Sequence, residues 1–365
     1  MRIRQLSLLP YRNFGKLDLP LGDGDVLILG GNGRGKSNIL EAISYLSIGK
    51  SIRGARDQEA VPHGGEYFDV RAQWHDGQRD RQLRAYYSNS EGKRIFLDGT
   101  PLTRISDVLS LFQTVHFSPE DVALVLQFSG QRRRLLDILI SQSSAVYLQD
   151  LQRYQRVLTQ RNQYLRSWTG GGADDLAAWD VQLARLGAAI RGQRRACLVQ
   201  LRPAFIEYYE CFSTGREEAG LTYRDQPVEA ADEGMLPSGQ ELEEELIEEL
   251  AQGRESERRA GFTLCGPHRD AFAFTLDAEA ADTYGSQGQL KSILLSWKMA
   301  ELRFLEDRSG QQPVLLLDDA LSELDPERSV QLLSLAQDFE QVILTSPRRP
   351  SEELGPAMTQ IDLDA

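Results

Sequence analysis

The chain has little cysteine, little lysine and no long apolar run, and each shortage excludes something. Its three cysteines, Cys197, Cys211 and Cys265, are an odd number without ligand-like spacing. They suit neither a disulfide framework nor a zinc site, and a reduced, cytoplasmic compartment fits them best. No apolar run approaches the ~20 residues of a membrane helix, so no membrane partner is expected. The opening Met1-Arg2-Ile3-Arg4-Gln5-Leu6 lacks the apolar stretch of a secretory signal. Six of the 41 basic residues are lysines, at positions 16, 36, 50, 93, 291 and 298, and the rest are arginines. Against 54 acidic residues the net charge is -13, so a polyanionic partner must be met by a local patch. Abundant arginine can reflect composition bias alone, which makes the lysine at position 36 more telling.

What is present is 41% hydrophobic residues over 365 positions, enough for about two domains or one large discontinuous one. Short apolar stretches at Ile3 to Leu9, Lys16 to Pro20 and Val26 to Leu29 read as strands bounded by Pro and Gly turns. Arg94-Ile95-Phe96-Leu97 before Asp98-Gly99 reads as a strand entering a tight turn. From about Gln131 to Arg259 the pattern turns helical. Leu135 to Leu158 recur at helical spacing until Gly170-Gly171-Gly172, and a second stretch runs from about Leu176 to Phe212. Ser238-Gly239-Gln240-Glu241 reads as a capping box opening an acidic helix, whose glutamates fit a solvated face.

Gly30-Gly31-Asn32-Gly33-Arg34-Gly35-Lys36-Ser37 matches the phosphate-loop pattern G-x-x-x-x-G-K-S/T. An apolar strand precedes it, and a helix carrying Ile39, Leu40, Ile43 and Leu46 follows, the context the motif requires. The glycines let backbone N–H groups turn inward around phosphate oxygens. Lys36 supplies a charge to the outer phosphates of ATP, and the Ser37 hydroxyl is a Mg2+ ligand. The bland alternative, a glycine-rich turn with a chance Lys-Ser, does not explain the flanking strand and helix.

Pro313-Val314-Leu315-Leu316-Leu317-Asp318-Asp319 reads as a buried strand ending in two carboxylates. Alone it is equally a core strand running into an acidic turn; with a phosphate loop it reads as a Walker B segment. Asp318 would then hold the Mg2+ shell and Asp319 polarise the attacking water. Asp319 stands where hydrolytic cassettes usually carry Glu, which suits a weak ATPase. Ser37 and Asp318 lie 281 residues apart, with the helical region between them. The expected fold is therefore an α/β P-loop ABC-type ATPase head, at 1-128 and 261-365, split by a helical arm at 129-260. Ser286-Gln287-Gly288-Gln289, ahead of an amphipathic helix, is a literal capping box. It also resembles the S-x-G-Q signature of ABC-type ATPases, in which the serine faces a nucleotide held by another subunit.

Taken together these segments resemble the RecF family, bacterial recombination-repair ATPases related to SMC-type heads. The resemblance covers nearly the whole chain. It rests on Leu9-Pro10-Tyr11-Arg12-Asn13-Phe14, the phosphate loop with Asn38-Ile39-Leu40-Glu41-Ala42-Ile43, and Ser51-Ile52-Arg53-Gly54-Ala55-Arg56-Asp57. It continues through Phe117-Ser118-Pro119-Glu120-Asp121, Arg132-Arg133-Arg134-Leu135-Leu136-Asp137, Gly266-Pro267-His268-Arg269-Asp270, the signature, and Asp318 to Asp325. The resemblance implies an ATP-dependent homodimer that binds gapped or junction DNA and acts with RecO and RecR to place RecA on single-stranded DNA. It implies that Ser286, Gly288 and Gln289 act in trans.

Two departures stand out. No histidine follows Gln341-Val342-Ile343-Leu344-Thr345-Ser346-Pro347, where a switch histidine belongs, leaving Thr345 or Ser346 as candidates. The Q-loop glutamine has only Gln113 as a candidate. Arg53, Arg56, Arg132, Arg133, Arg134, Arg191, Arg194 and Arg195 are candidate DNA contacts or simply exposed helix charge. His268 and Arg269 can serve catalysis, DNA or packing. An SMC-like clamp gated by ATP is the alternative function. A transporter cassette fits less well, given the helical insertion.

Overall fold

The computed structural model describes residues 1–104, 106–109, 111–122, 128–168, 176–213, 217–229, 236–349 and 358–364, without the side chains of 106 and 323. The glycine run at 170–172 lies outside them. The chain divides into two compact units, the first being Met1–Ala123, Glu207–Gly215 and Gln287–Ala365, the second Leu124–Ile206 and Arg216–Ser286.

The first unit carries two sheets. Five strands lie parallel in the order Thr359–Asp362, Val26–Leu29, Val342–Ser346, Val314–Leu317 and Thr114–Phe117. The four residues of Val26–Leu29, of Val314–Leu317 and of Thr114–Phe117 are all buried. Burial on both faces is why these strands read as continuous apolar runs rather than alternating ones. Six further strands form an antiparallel sheet, in which Asp98 and Gly99, both at positive φ, make the tight turn that their sequence announces. Between the two sheets' residues runs one apolar cluster that includes Ile3, Leu6, Ile28, Ile43, Phe68, Trp74 and Leu316.

The second unit is not purely helical. Its long helices among the described residues are Ser129–Ser143, Ala145–Ser167, Gly239–Ala260 and the greater part of Ala177–Phe212. Sequence periodicity runs the first two together. Ser144 separates them, adopting an extended conformation and capping the second by accepting from the Tyr147 N–H at 3.2 Å. The capping box at Ser238 and Glu241 forms with both of its hydrogen bonds.

The helical-arm boundary expected at 260 is displaced. Strand Ala219–Tyr223, inside the expected arm, pairs antiparallel with Phe272–Leu276, so residues 261–286 fold with the second unit. Backbone groups of a strand need a partner strand, and hydropathy alone does not name it.

Candidate nucleotide site

The phosphate loop follows the buried strand Val26–Leu29 and leads into helix Lys36–Ile48. Gly35 holds φ at 98°, and a Cβ there would meet Phe14 Cζ at 2.5 Å and Asn13 Oδ1 at 2.7 Å. No L-residue with a side chain fits, for reasons of both conformation and space. Asn13 braces the loop, its amide donating to the Arg34 carbonyl at 3.2 Å and its Oδ1 accepting from Asn38 Nδ2 at 2.8 Å. Arg12 meanwhile pairs with buried Glu41 at 2.6 Å. The segment Tyr11 to Phe14 thus earns its place as a brace under the loop, a role its sequence did not disclose.

Lys36 is buried, and its ammonium donates to the carbonyls of Gly30 at 2.8 Å and Gly31 at 3.4 Å. Its Nζ lies 3.9 Å from Asp319 Oδ2. The Ser37 hydroxyl donates to Asp318 Oδ1 at 2.9 Å, closing the 281-residue gap between the two motifs. Asp318 is buried at the carboxyl end of Val314–Leu317, and its Oδ2 receives Arg53 Nη2 at 3.2 Å. Asp319 takes a left-handed conformation, φ 48°, which turns its carboxylate out of the strand line. Burial pushes the Asp319 carboxyl above the usual range, against the opposing pull of Lys36. The oxygen donors Ser37 Oγ and Asp318 suit a hard cation such as Mg2+.

Thr345, one of the two candidates for the missing histidine's place, is engaged with the two carboxylate residues. Its fully buried hydroxyl donates to Asp318 Oδ1 at 2.8 Å and accepts the Asp319 N–H at 2.9 Å. Ser346 is engaged by Arg348, donating to its carbonyl at 2.6 Å. Gln113 is corrected as a Q-loop candidate. Thr114–Phe117 runs parallel to Val314–Leu317 with Phe117 opposite Leu317, so Gln113 lies at the edge remote from Asp318. Four strand residues lie between them, five steps and roughly 16 Å along the strand direction.

The carboxylate of Asp364 also touches the loop, accepting the Gly31 N–H at 2.8 Å and pairing with Arg34 Nε. No sequence signal pointed to it. In the first turn of helix Gln287–Ser309, Gly288 packs on Arg328, whose Nη1 would lie 3.5 Å from an added Cβ. Arg328 Nε donates to Ser292 Oγ at 2.8 Å and its Nη1 pairs with Asp325. Ser286 is exposed just ahead of that helix.

Several arginine candidates for DNA have structural tasks instead. Arg132 is buried and donates to the Phe272 carbonyl at 2.6 Å. Arg133 donates to the Asp270 carbonyl at 3.0 Å. Arg191 pairs with Asp270 at 2.9 Å, and Arg194 with Asp137 at 2.9 Å, both guanidinium groups being buried. Arg132, Arg191 and Arg194, charged groups held out of water among partners, cannot also meet a phosphodiester, whereas Arg133 is only half-buried. Arg53 and Arg56 are exposed, and Arg134 is partly so. His268 belongs to the packing of the second unit, its Nδ1 2.7 Å from the Tyr154 hydroxyl and its Nε2 3.2 Å from the Thr263 carbonyl.

A phosphate loop, a Walker B strand and a split α/β head define an ABC-type ATPase head. The family described as RecF/RecN/SMC N terminal domain matches residues 2–362. "DNA replication and repair protein RecF" of Moorella thermoacetica is 36% identical over 95% of this chain and 90% of its own length. The protein of the same name from Heliobacterium modesticaldum is 38% identical over 98% of this chain and 96% of its own. A solved structure, "Structure of the recombination mediator protein RecF-ATPrS in RecFOR pathway", superposes with TM-score 0.88 at 31% identity, covering 99% of this chain and 95% of that one. An SMC head bound to the C-winged helix domain of ScpA shares the fold, with TM-score 0.54 at 16% identity over 97% of this chain and 93% of that one. The chain belongs to the RecF family of DNA replication and repair proteins.

Proposed function

We propose that this protein is an ATP-dependent DNA-binding protein of recombinational repair and replication, acting in the cytoplasm. It dimerises on ATP, binds gapped or junction DNA, and helps place RecA on single-stranded DNA with RecO and RecR. The observation that carries the reading is the convergence of Lys36, Ser37, Asp318 and Asp319 from segments 281 residues apart. The solved relative described as RecF-ATP, 31% identical with TM-score 0.87, supports ATP as the nucleotide.

In this reading the loop amides and Lys36 bind the phosphates, and Ser37 with Asp318 would hold Mg2+. The ion supplies neutralisation of charge between the phosphates. Asp319 takes a proton from the attacking water, with weak turnover. Ser286, Gly288 and Gln289 reach the nucleotide of the partner protomer. Arg53, Arg56, Arg133 and Arg134 remain the candidate DNA contacts. The segment 129-260 serves as the core of an arm.

The test is DNA affinity on gapped, single- and double-stranded substrates, with and without Mg-ATP, for wild type and Lys36→Met. Tighter binding to gapped DNA with ATP, lost in Lys36→Met and weakened by added salt, is expected. Equal affinity with and without ATP would remove the coupling. The variant also loses two hydrogen bonds to loop carbonyls, so a stability decrease of about 1–2 kcal/mol should accompany it.

A further inference from the structure

The Asp364 carboxylate reaches the phosphate loop by strand register. Thr359–Asp362 pairs parallel with Val26–Leu29, with Asp362 opposite Leu29. The ladder extends one residue further, Leu363 N–H donating to the Leu29 carbonyl at 2.9 Å. Asp364 N–H then donates to Asp362 Oδ1 at 2.9 Å, which pins the turn. The approach is close: a Cβ on Gly30 would meet Leu363 Cβ at 3.2 Å. In this position Asp364 takes the Gly31 N–H and the Arg34 guanidinium. Its pKa is lowered by the Gly31 N–H, then by Arg34, and by the field of Lys36 as well.

We propose that Asp364 is an electrostatic brake on nucleotide binding, neutralising Arg34 and adding negative charge beside the loop that receives a nucleoside polyphosphate. This rests on the reading of Gly30 to Ser37 as the nucleotide site. The carboxylate and a triphosphate are both anions, and they compete for the same cation. With Asp364 and Arg34 side chains 41% and 60% exposed, water screens the contact, so the brake is partial. A partial brake suits a site that must release nucleotide as well as bind it.

Asp364→Asn isolates the charge, because the amide oxygen can still accept from Gly31 N–H. Calorimetric titration with ATP should show this variant binding roughly threefold to tenfold tighter at low salt. The gain should shrink as salt rises and should be smaller in an Arg34→Ala background, where only the carboxylate's own repulsion of the phosphates is left to relieve. Asp364→Ala should shift affinity in the same direction. Unchanged or weaker ATP binding by Asp364→Asn would overturn the brake and make the residue a passive latch. The parent reading fails separately: wild type that binds ATP no better than Lys36→Met removes the nucleotide site itself, and the brake with it.

Discussion

The Thr345 hydroxyl stands 2.8 Å from Asp318 Oδ1 and accepts the backbone N–H of the next residue, tying the Walker B turn to the neighbouring strand. Its single proton is given to Asp318, so it has none to offer an attacking water. Thr345→Val keeps the β-branched shape and removes the bridge. A loss of about 1–3 kcal/mol in urea unfolding is expected, because buried Asp318 loses a donor and the half-buried Asp319 N–H its acceptor. A change within experimental error would show that the bridge contributes nothing.

Asp319→Asn should preserve ATP affinity and slow hydrolysis by roughly 10²–10⁴-fold, the range of general-base catalysis. Asparagine tolerates the left-handed backbone at this position. The wild-type carboxyl is raised by burial, and it serves as a base only when ionised. Hydrolysis should therefore fall as pH drops through a range above the ordinary aspartate value of about 3.9. A pH–rate profile in which Asp319→Asn keeps the same acid limb would place the base elsewhere.

His268 is pushed down to about 4, chiefly by burial, and its ring nitrogens match a neutral tautomer that accepts from Tyr154 and donates to Thr263. Its folded pKa lies below an unfolded value of about 6.5. The stability it contributes is complete above that value and declines as pH falls from about 6.5 toward 4. Imidazole NMR resonances should titrate near the lower end. Titration at 6 or above would contradict a buried structural role.

Arg132→Ala should destabilise the second unit by about 2–4 kcal/mol, since Asp282 and the Phe272 carbonyl both lose their donor. DNA affinity per folded molecule should stay unchanged. A selective loss of DNA binding with intact thermal stability would restore Arg132 as a phosphate contact.

Ser286→Arg should bind ATP at its own loop yet fail to dimerise, because a bulky cation obstructs the helix N-terminus that meets the partner's nucleotide. Mixed with Lys36→Met, it should recover some ATP-dependent dimer, since one composite site then has both intact residues. Sedimentation of labelled chains reads this directly. Dimerisation of Ser286→Arg alone at wild-type strength would rule out action in trans.

The sequence by itself determined the strand, loop and helix around Gly30 to Ser37, the buried strand that ends at Asp318 and the cap at Ser238, because each depends on local spacing and backbone conformation. Glycine at positive φ and serine at a helix start carry their reasons with them. Only the tertiary structure decided which strand partners Ala219–Tyr223, which end of its strand Gln113 occupies, and which arginines are buried. It also brought Asp364 to Gly31, residues 333 apart. Those outcomes depend on strand pairing and on which charges find partners away from water, and neither quantity is written in any short stretch of chain.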